Sequence, residues 1–557
     1  MASPLEITVA KDVEDPAGHL SRGRRTAPEI TTLSSAQLEE LLAKLAALLP
    51  AEIYQSVEKL LRTLQWLMSA IEAKNTTIGR LARMIFGAKT EKTKHLYPPP
   101  APEGSQTAAA AALKRKGHGR TAAAAYPGAK TIPVPHPQLR PGDLCPDCKK
   151  GKLYLLKRPA QIVRITAQPL FAAIRFELEK LRCSLCGKLF TAPAPPEALL
   201  GKYDVGVGPT LGYFRFGGGL PHYRLDKIQT DLGVRLPAST QWELMAQSGQ
   251  ALEPVHQALT TLAAQGKLIH NDDTTMRVQS LRQEAGSANA APEPACAADQ
   301  RSGIFTTSLI SEVEDHTIAL FVTGHRHAGE NLDQLLARRL ADRPPPIQMC
   351  DALSRNPSKE FQTILGNCLS HGRRQFVDIA QNFPQQCQHV LESLGEVYKH
   401  DAQAKELGLS DQARLQFHHE HSQIIMEDLH QWMSQQIEQK VVEPNSGLGE
   451  AFNYMLKHWE PLTLFLRKAG APLDNNIAER ALKMAILHRK NSLAYKTQNG
   501  ARLGDMFMSL IHTCRLCGTN PLDYLTTIQR HAKEAKEYPN HWFPWNYGQA
   551  LANANTS

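Results

Sequence analysis

Between Lys267 and Asp351 the chain sets out an order of elements that few folds accommodate. Lys267 to His270 is a short strand-like run that enters Asn271-Asp272-Asp273-Thr274-Thr275, and Met276 to Gln279 continues it. An Ala/Pro-rich insert at about 283–300 reads as a loop. Ile304 to Val313 and Thr317 to Val322 follow as strands around a turn at Glu314-Asp315-His316. Gly329 to Leu340 then has helical spacing, with Leu332, Leu335, Leu336 and Leu340 inward, and Ile347 to Cys350 is a buried strand ending at Asp351. Three successive strands, a helix and a fourth strand predict a sheet in which the first strand lies beside the end of the fourth. Asp272 and Asp351 then face each other.

That order is the one of a ribonuclease H-like α/β core, and paired aspartates there suit one chemistry. Cleaving a phosphodiester needs an activated water and a stabilised leaving alkoxide, which two hard divalent cations about 3.5 to 4 Å apart can supply. Hard cations take oxygen ligands, so carboxylates are the residues to look for. Glu479 is the third by position. It sits in Pro472-Leu473-Asp474-Asn475-Asn476-Ile477-Ala478-Glu479-Arg480, which opens a predicted helix running on through Leu487. Taken singly, each carboxylate has a plainer reading. Asp272 can be a turn residue, Asp351 a strand-end cap, and Glu479 the partner of Asn476 in a capping box. A capping glutamate and a metal-ligating one cannot be the same conformer. Asp273 is the alternative first ligand, because strand alternation turns only one of the pair toward the metals.

At 557 residues the chain holds several domains, about three to five on length alone. With 21% charged and 42% apolar residues it is globular rather than disordered or membranous. It has no apolar run of roughly 18 residues and no signal-peptide pattern at its start, so a cytoplasmic location is expected. The formal charge of +9 permits nucleic acid as a partner without requiring it.

Residues 1–30 read as a disordered leader and 31–92 as helical. Leu38, Leu41, Leu42, Leu45, Leu48 and Leu49 make one apolar face. Val57, Leu60, Leu64, Leu67, Ile71, Lys74, Ile78, Leu81 and Ile85 then alternate steps of three and four, as either a coiled coil or a long docked helix would. Residues 93–130 form a linker with Pro98-Pro99-Pro100 and the basic cluster Lys114-Arg115-Lys116. It is either a solvated hinge or a tail that touches phosphates. In residues 131–200, Cys145-Pro146-Asp147-Cys148 and Cys183-Ser184-Leu185-Cys186 bracket two β-rich runs, Leu153 to Ile165 and Phe171 to Leu181. Four cysteines complete a tetrahedral sulfur site for structural Zn²⁺, with no open position for chemistry. Residues 201–260 contain Tyr223 to Leu244, read as helix, turn at Gly233 and a second helix capped by Ser239. That outline fits a DNA-binding helix-turn-helix or an ordinary helical hairpin.

Several segments, in order, look like transposases of the insertion sequence 66 family. They are Phe86-Gly87-Ala88-Lys89-Thr90-Glu91-Lys92, Cys145 to Cys148, Asp272-Asp273-Thr274, Cys368-Leu369-Ser370-His371-Gly372-Arg373-Arg374-Gln375-Phe376, Asp474 to Arg480, and His488-Arg489-Lys490-Asn491. The resemblance implies a DDE-type catalytic domain of ribonuclease H-like fold, interrupted by a helical insertion before the glutamate. Carried over by motif, the triad is Asp272, Asp351 and Glu479, holding Mg²⁺ (or Mn²⁺). The core then comprises residues 261–355 and a C-terminal part at 471–535, with the helical insertion at 356–470 and a tail at 536–557. The implied partners are double-stranded DNA (transposon ends and target), a second copy of the chain through the coiled coil, and accessory proteins of the same element, at the nucleoid. Arg373, Arg374, Arg489 and Lys490 are expected phosphate contacts. Cys368 with His371, and Cys514 with Cys517, either bind metal or pack in helices. The rival readings are a nuclease of the same fold without strand transfer, and a decayed or domesticated transposase that only binds DNA.

Overall fold

The computed structural model describes residues 35–51, 53–63, 138, 140–144, 146, 148–154, 170–182, 189–284 and 301–556. Backbone contacts group the chain into two units, Met1–Ile85 with Gln431–Asn453, and Phe86–His430 with Tyr454–Ser557. In the first, helix α1 (Ser35–Leu48) buries Leu38 and Leu42. Residues 53–63 are helical again after Pro50, and Arg62 reaches back to Glu39 at 2.7 Å. Of the apolar seam read for a coiled coil, Val57 and Leu60 fall among the described residues, and Leu60 is 62% exposed. Leu64 to Ile85 lie outside them, as do the leader and the linker.

Around the first CxxC pair of the second unit the backbone doubles back, with Leu144 bridging Lys152 antiparallel. Cys148 Sγ accepts from the Gly151 N–H at 3.4 Å; Cys145, Cys183 and Cys186 lie outside the described residues. Strands β1 (Lys180–Arg182) and β2 (Leu189–Thr191) form an antiparallel hairpin around the second pair. The strand expected from Phe171 is therefore paired only from Lys180 onward among the described residues.

Helix α2 (Val207–Gly212) leads to the pair expected between Tyr223 and Leu244, which is α3 (His222–Asp231) and α4 (Ala238–Ala263). Gly233 turns the chain between them at φ +76°, a value that favours glycine. The start of α4 is set by Pro237 and not by a Ser239 cap, because proline already holds the φ of a helix entrance. Buried Gln241 ties the corner, donating to the carbonyls of Leu236 at 2.8 Å and His222 at 3.1 Å.

The core is mixed α/β. Five strands, β3 (Leu268–Thr275), β4 (Phe305–Val313), β5 (His316–Gly324), β6 (Ile347–Cys350) and β7 (Ile364–Asn367), form one sheet in the order β5-β4-β3-β6-β7. β3, β4 and β5 are an antiparallel meander, while β6 and β7 run parallel to β3. Helix α5 (Ala328–Leu336) carries the chain from β5 across to β6. Strand β7 falls inside the stretch read as helical insertion. It is only four residues long, and its Gly366 gives no side-chain alternation to read; a Cβ there would come within 2.9 Å of Met349 Cε. The rest of that stretch is helical, from α6 (Leu369–Ile379) and α7 (Pro384–Glu406) through α8 (Asp411–His421), α9 (Gln423–Glu438) and α10 (Gly447–Lys457).

Two C-terminal helices finish the core. Helix α11 (Asn476–Ser492) packs across β3 and β4, and α12 (Gln498–Leu516) covers the outer edge of β5. An open edge offers unpaired backbone amides to any other strand. Here Asp505, Ser509 and Thr513, one turn apart on α12, accept from the N–H groups of Thr323 (2.7 Å), Phe321 (2.9 Å) and Ala319 (3.0 Å). The matching periods are two residues along the strand and four along the helix. Within the C-terminal segment, Trp542 and Phe543 are buried in the main core, and the Tyr524 hydroxyl donates to the Trp542 carbonyl at 2.8 Å.

Candidate active site

Cross-strand partners separate Asp272 from Asp273. Asp272 stands opposite Ser308, whose hydroxyl donates to the Ala478 carbonyl at 3.3 Å, so this face of β3 lies under α11. Asp273 stands opposite Thr307, whose hydroxyl accepts from Asn331 Nδ2 at 2.8 Å, so the next residue looks toward α5. The Asp273 carboxylate is nearly buried there. It pairs with Arg355 Nη2 at 3.0 Å and His327 Nδ1 at 3.1 Å and accepts from the Ala328 N–H at 3.4 Å.

The parallel register of β3 and β6 runs to His270 opposite Met349. Two residues further along the two strands are Asp272 and Asp351. Asp351 Oδ1 accepts from Asn356 Nδ2 and from the Leu353 N–H at 3.2 Å. The Asn356 carbonyl in turn accepts from Asn271 Nδ2 at 2.8 Å and Gln348 Nε2 at 2.9 Å, tying the loop after Asp351 to the sheet. That loop rests on α5 at Gly329, where a Cβ would lie 2.8 Å from the Arg355 carbonyl and 3.0 Å from that of Asn356, with Pro357 in contact too. Gly329→Ala is therefore expected to push the loop off Asp351. The cost should be about 1–3 kcal/mol, as overpacking usually costs, read as a lowered thermal midpoint.

Glu479 reaches the same place through Leu473 to Asn476, which fasten three elements together. The Leu369 N–H donates to the Leu473 carbonyl at 3.0 Å, and the Asn475 N–H donates to Cys368 Sγ at 3.2 Å. Buried Asn475 also donates from Nδ2 to the Asn271 carbonyl at 3.0 Å, and its Oδ1 lies 3.0 Å from His270 Nδ1. This geometry overturns the capping box. The cap position belongs to Asn475, which makes no side-chain cap bond. Asp474 binds the entrance instead, accepting from the Asn476 N–H at 3.1 Å and from Asn476 Nδ2 at 2.7 Å. Glu479 is left to point forward. Its Oε1 lies 3.7 Å from His371 Nδ1 on α6.

Electrostatics shows how close the acidic groups are. The Asp272 carboxyl is pushed up to about 7, first by burial and then by the charge of Asp351, with Glu479 and Asp273 adding to it. The hydrogen bond from the Asp273 N–H at 2.8 Å opposes this without cancelling it. Three carboxylates gathered against their mutual repulsion are a donor set that a hard divalent cation would neutralise, and every donor is oxygen. The residues fit Mg²⁺ or Mn²⁺ on that chemistry.

The basic residues divide. Arg489 is bound to the end of β3, donating from Nη1 to Thr275 Oγ1 at 2.6 Å and Thr274 Oγ1 at 3.2 Å. Lys490 beside it is exposed, while Arg373 and Arg374 are half-buried on α6. Cys514 is buried on α12, and Cys517 Sγ donates to the Thr317 carbonyl at 3.8 Å, so this pair packs. Sequence reasoning missed Asn356 and Asn475, which orient the carboxylates through contacts that span the fold. The one local sign was a run of polar residues, Asp474-Asn475-Asn476, in which Asn475 is buried and its two neighbours half-buried.

Among curated proteins, the uncharacterized protein y4hP of Sinorhizobium fredii (strain NBRC 101917 / NGR234) is 24% identical over 402 residues, covering 69% of this chain and 69% of that protein. The uncharacterized protein y4qI of the same organism is 26% identical over 339 residues, 60% of each chain. A third, y4jD, is 23% identical over 380 residues, 66% of this chain and 70% of its own. No solved structure matches. No helix among the described residues is long and apolar enough to cross a membrane. The family model described as Transposase IS66 family matches residues 208–503, more than half the chain and all three clustered carboxylates, and the chain belongs to that family.

Proposed function

We propose that the protein is a DNA transposase that cuts at transposon ends and joins them to a target, using Asp272, Asp351 and Glu479 on a ribonuclease H-like sheet. The observation that carries this reading is the convergence of the three carboxylates, felt in the raised Asp272 carboxyl. The strand order, with the first strand central beside a parallel fourth and fifth, supports the fold. The helices between β7 and α11 correspond to the insertion the family carries before its glutamate.

Asp272, Asp351 and Glu479 would hold two hard divalent ions, which activate the attacking oxygen and stabilise the leaving one. The chain's own part is positioning. Asn356 and the Leu353 N–H fix the rotamer of Asp351, and Asn475 anchors the start of the Glu479 helix to β3. In hydrolysis a water oxygen bonds to phosphorus and the bond to the 3′ oxygen breaks, leaving a 3′-OH. In strand transfer that hydroxyl bonds to a target phosphorus and displaces another 3′ oxygen. Exposed Lys490 contacts phosphate, with Arg373 and Arg374 on α6. Arg489 acts indirectly, by bracing Thr274 and Thr275. The sulfur unit of Cys145, Cys148, Cys183 and Cys186, with structural Zn²⁺, and the α3–α4 pair bind the DNA ends. The N-terminal helices pair two copies, in the cytoplasm at the nucleoid.

The test is joining. The full chain, Mg²⁺ and a duplex ending in a pre-cleaved terminal repeat from beside the coding region should join that end to a supercoiled plasmid. Cutting of uncleaved ends without joining would leave a nuclease. End binding with neither reaction would leave a DNA-binding protein.

A further inference from the structure

Beside Asp272 and Asp351 stands a second donor set, which shares Glu479 with the acidic centre and adds two side chains, Cys368 and His371, that cleavage does not use. Cys368 follows β7 directly and occupies the N-cap of α6, and His371 lies one turn on. Both side chains converge on the first turn of α11. Cys368 sulfur, a His371 ring nitrogen and a Glu479 oxygen all lie within 4.8 Å of one another. His371 Nδ1 and Glu479 Oε1 face each other at 3.7 Å, too far for a hydrogen bond. Each of these two atoms is shut off from solvent without a hydrogen-bond partner.

The spacing is that of ligands around an ion. With Zn–N and Zn–O near 2.0–2.1 Å and Zn–S near 2.3 Å, a tetrahedral site has ligand-to-ligand edges of roughly 3.3–3.6 Å. The nitrogen and oxygen are already close to that, and the sulfur closes on them with a side-chain movement of about 1 Å or less. We propose that Cys368, His371 and Glu479 form a binding site for a thiophilic divalent ion of the zinc class. Sulfur and imidazole select against Mg²⁺ and Ca²⁺, which want oxygen. Binding must release the thiol proton to solvent. Burial otherwise holds that thiol up at about 12. The thiolate that results keeps a ready donor, since the Asn475 N–H already points at Sγ from 3.2 Å. On the transposase reading, an ion that takes one Glu479 oxygen leaves the other to the triad, so it would hold that carboxylate in place. The site itself does not depend on that reading.

Co²⁺ reports the site without any cleavage assay. The metal-stripped, reduced full chain is dialysed to equilibrium against Co²⁺ with excess Mg²⁺, alongside Cys368→Ser and His371→Gln. Wild type should bind one more Co²⁺ than either variant. The wild-type minus Cys368→Ser difference spectrum should show a thiolate-to-cobalt charge-transfer band in the near ultraviolet. Ions held by the other cysteine pairs cancel in that difference. His371→Gln leaves the buried thiol in place, so a misfolded cysteine variant cannot imitate the result. Equal stoichiometry in wild type and His371→Gln, or no difference band, overturns the site. A cobalt difference in a protein that neither cuts nor joins DNA would keep the site and sink the transposase reading alone.

Discussion

Asp272→Asn is expected to abolish cleavage of a labelled transposon end while end binding in a gel-shift assay stays unchanged. Removing one preorganised electrostatic contact from a reaction centre costs about 10²- to 10³-fold in rate, and a lost bridging ligand should cost at least that. Glu479→Gln should do the same. Asp272→Asn has a second signature. It removes a charge that burial disfavours and that Asp351 and Glu479 repel, so in chelator the variant should be more stable than wild type. The gain should be on the order of 1–3 kcal/mol for Asp272→Asn, since each unit of upward shift is worth about 1.4 kcal/mol. Asp273→Asn is the contrast. Its carboxylate is bound to Arg355 and His327 on the opposite face, so that change should lower stability and spare most of the cleavage. Should Asp273→Asn be the dead variant and Asp272→Asn the active one, the assignment of faces is wrong.

Asp505→Ala is expected to be the most destabilising single change along the β5 edge. It strands the Thr323 N–H, which now bonds to the carboxylate at 2.7 Å, while the Thr323 hydroxyl keeps Thr306 Oγ1 as a partner. One buried polar group left unmet puts the loss at about 1–3 kcal/mol, measurable as a lower urea midpoint. Asp505→Asn should be tolerated. Its Oδ1 can accept from the Thr323 N–H while Nδ2 donates to Thr323 Oγ1, whose own proton turns to Thr306 Oγ1, 2.7 Å away.

The asparagine variant also isolates a pH effect. Burial pushes the Asp505 carboxyl up to about 7 despite the Thr323 hydrogen bonds, whereas an unfolded aspartate titrates near about 3.9. Between those values the folded protein holds a proton that the unfolded chain lacks. The group's contribution is therefore fully present below about pH 4 and is lost as pH rises through about 7. Unfolding midpoints of wild type should fall over that range more steeply than those of Asp505→Asn. Parallel profiles would mean that the carboxyl titrates normally.

Local pattern predicted much of the sheet and little of the geometry around it. The runs at 304–313, 317–322 and 347–350 become β4, β5 and β6 within two residues at each end, because their apolar content matches their burial. The first strand runs straight through Asn271 to Thr275, where the polar residues suggest an interruption. They are tolerated because Asn271 binds the Asn356 carbonyl, Asp273 binds Arg355, and Asp272 faces the other acids. None of those partners is near in sequence. The same holds for Glu479, whose local context favoured a cap until Asp474 took that work. Strand β7 carried too few side chains to announce itself. The aromatic Trp542-Phe543-Pro544-Trp545 was a signal that the C-terminal segment packs, and its polar surroundings hid it.

The helices between β7 and α11 also impose an order of assembly. Asp272 and Asp351 come from strands that can pair soon after both have been made. Glu479 follows only after α6 to α10. At about 5–20 residues per second, on the order of ten seconds of synthesis separate the second aspartate from the glutamate. Docking α11 on β3 then closes a contact between distant parts of the chain, which is slow in its own right. A nascent chain thus spends that interval with a sheet able to form and no complete acidic centre. The insertion works as a delay line: the last charge of the acidic centre is added once the surrounding framework can bear it.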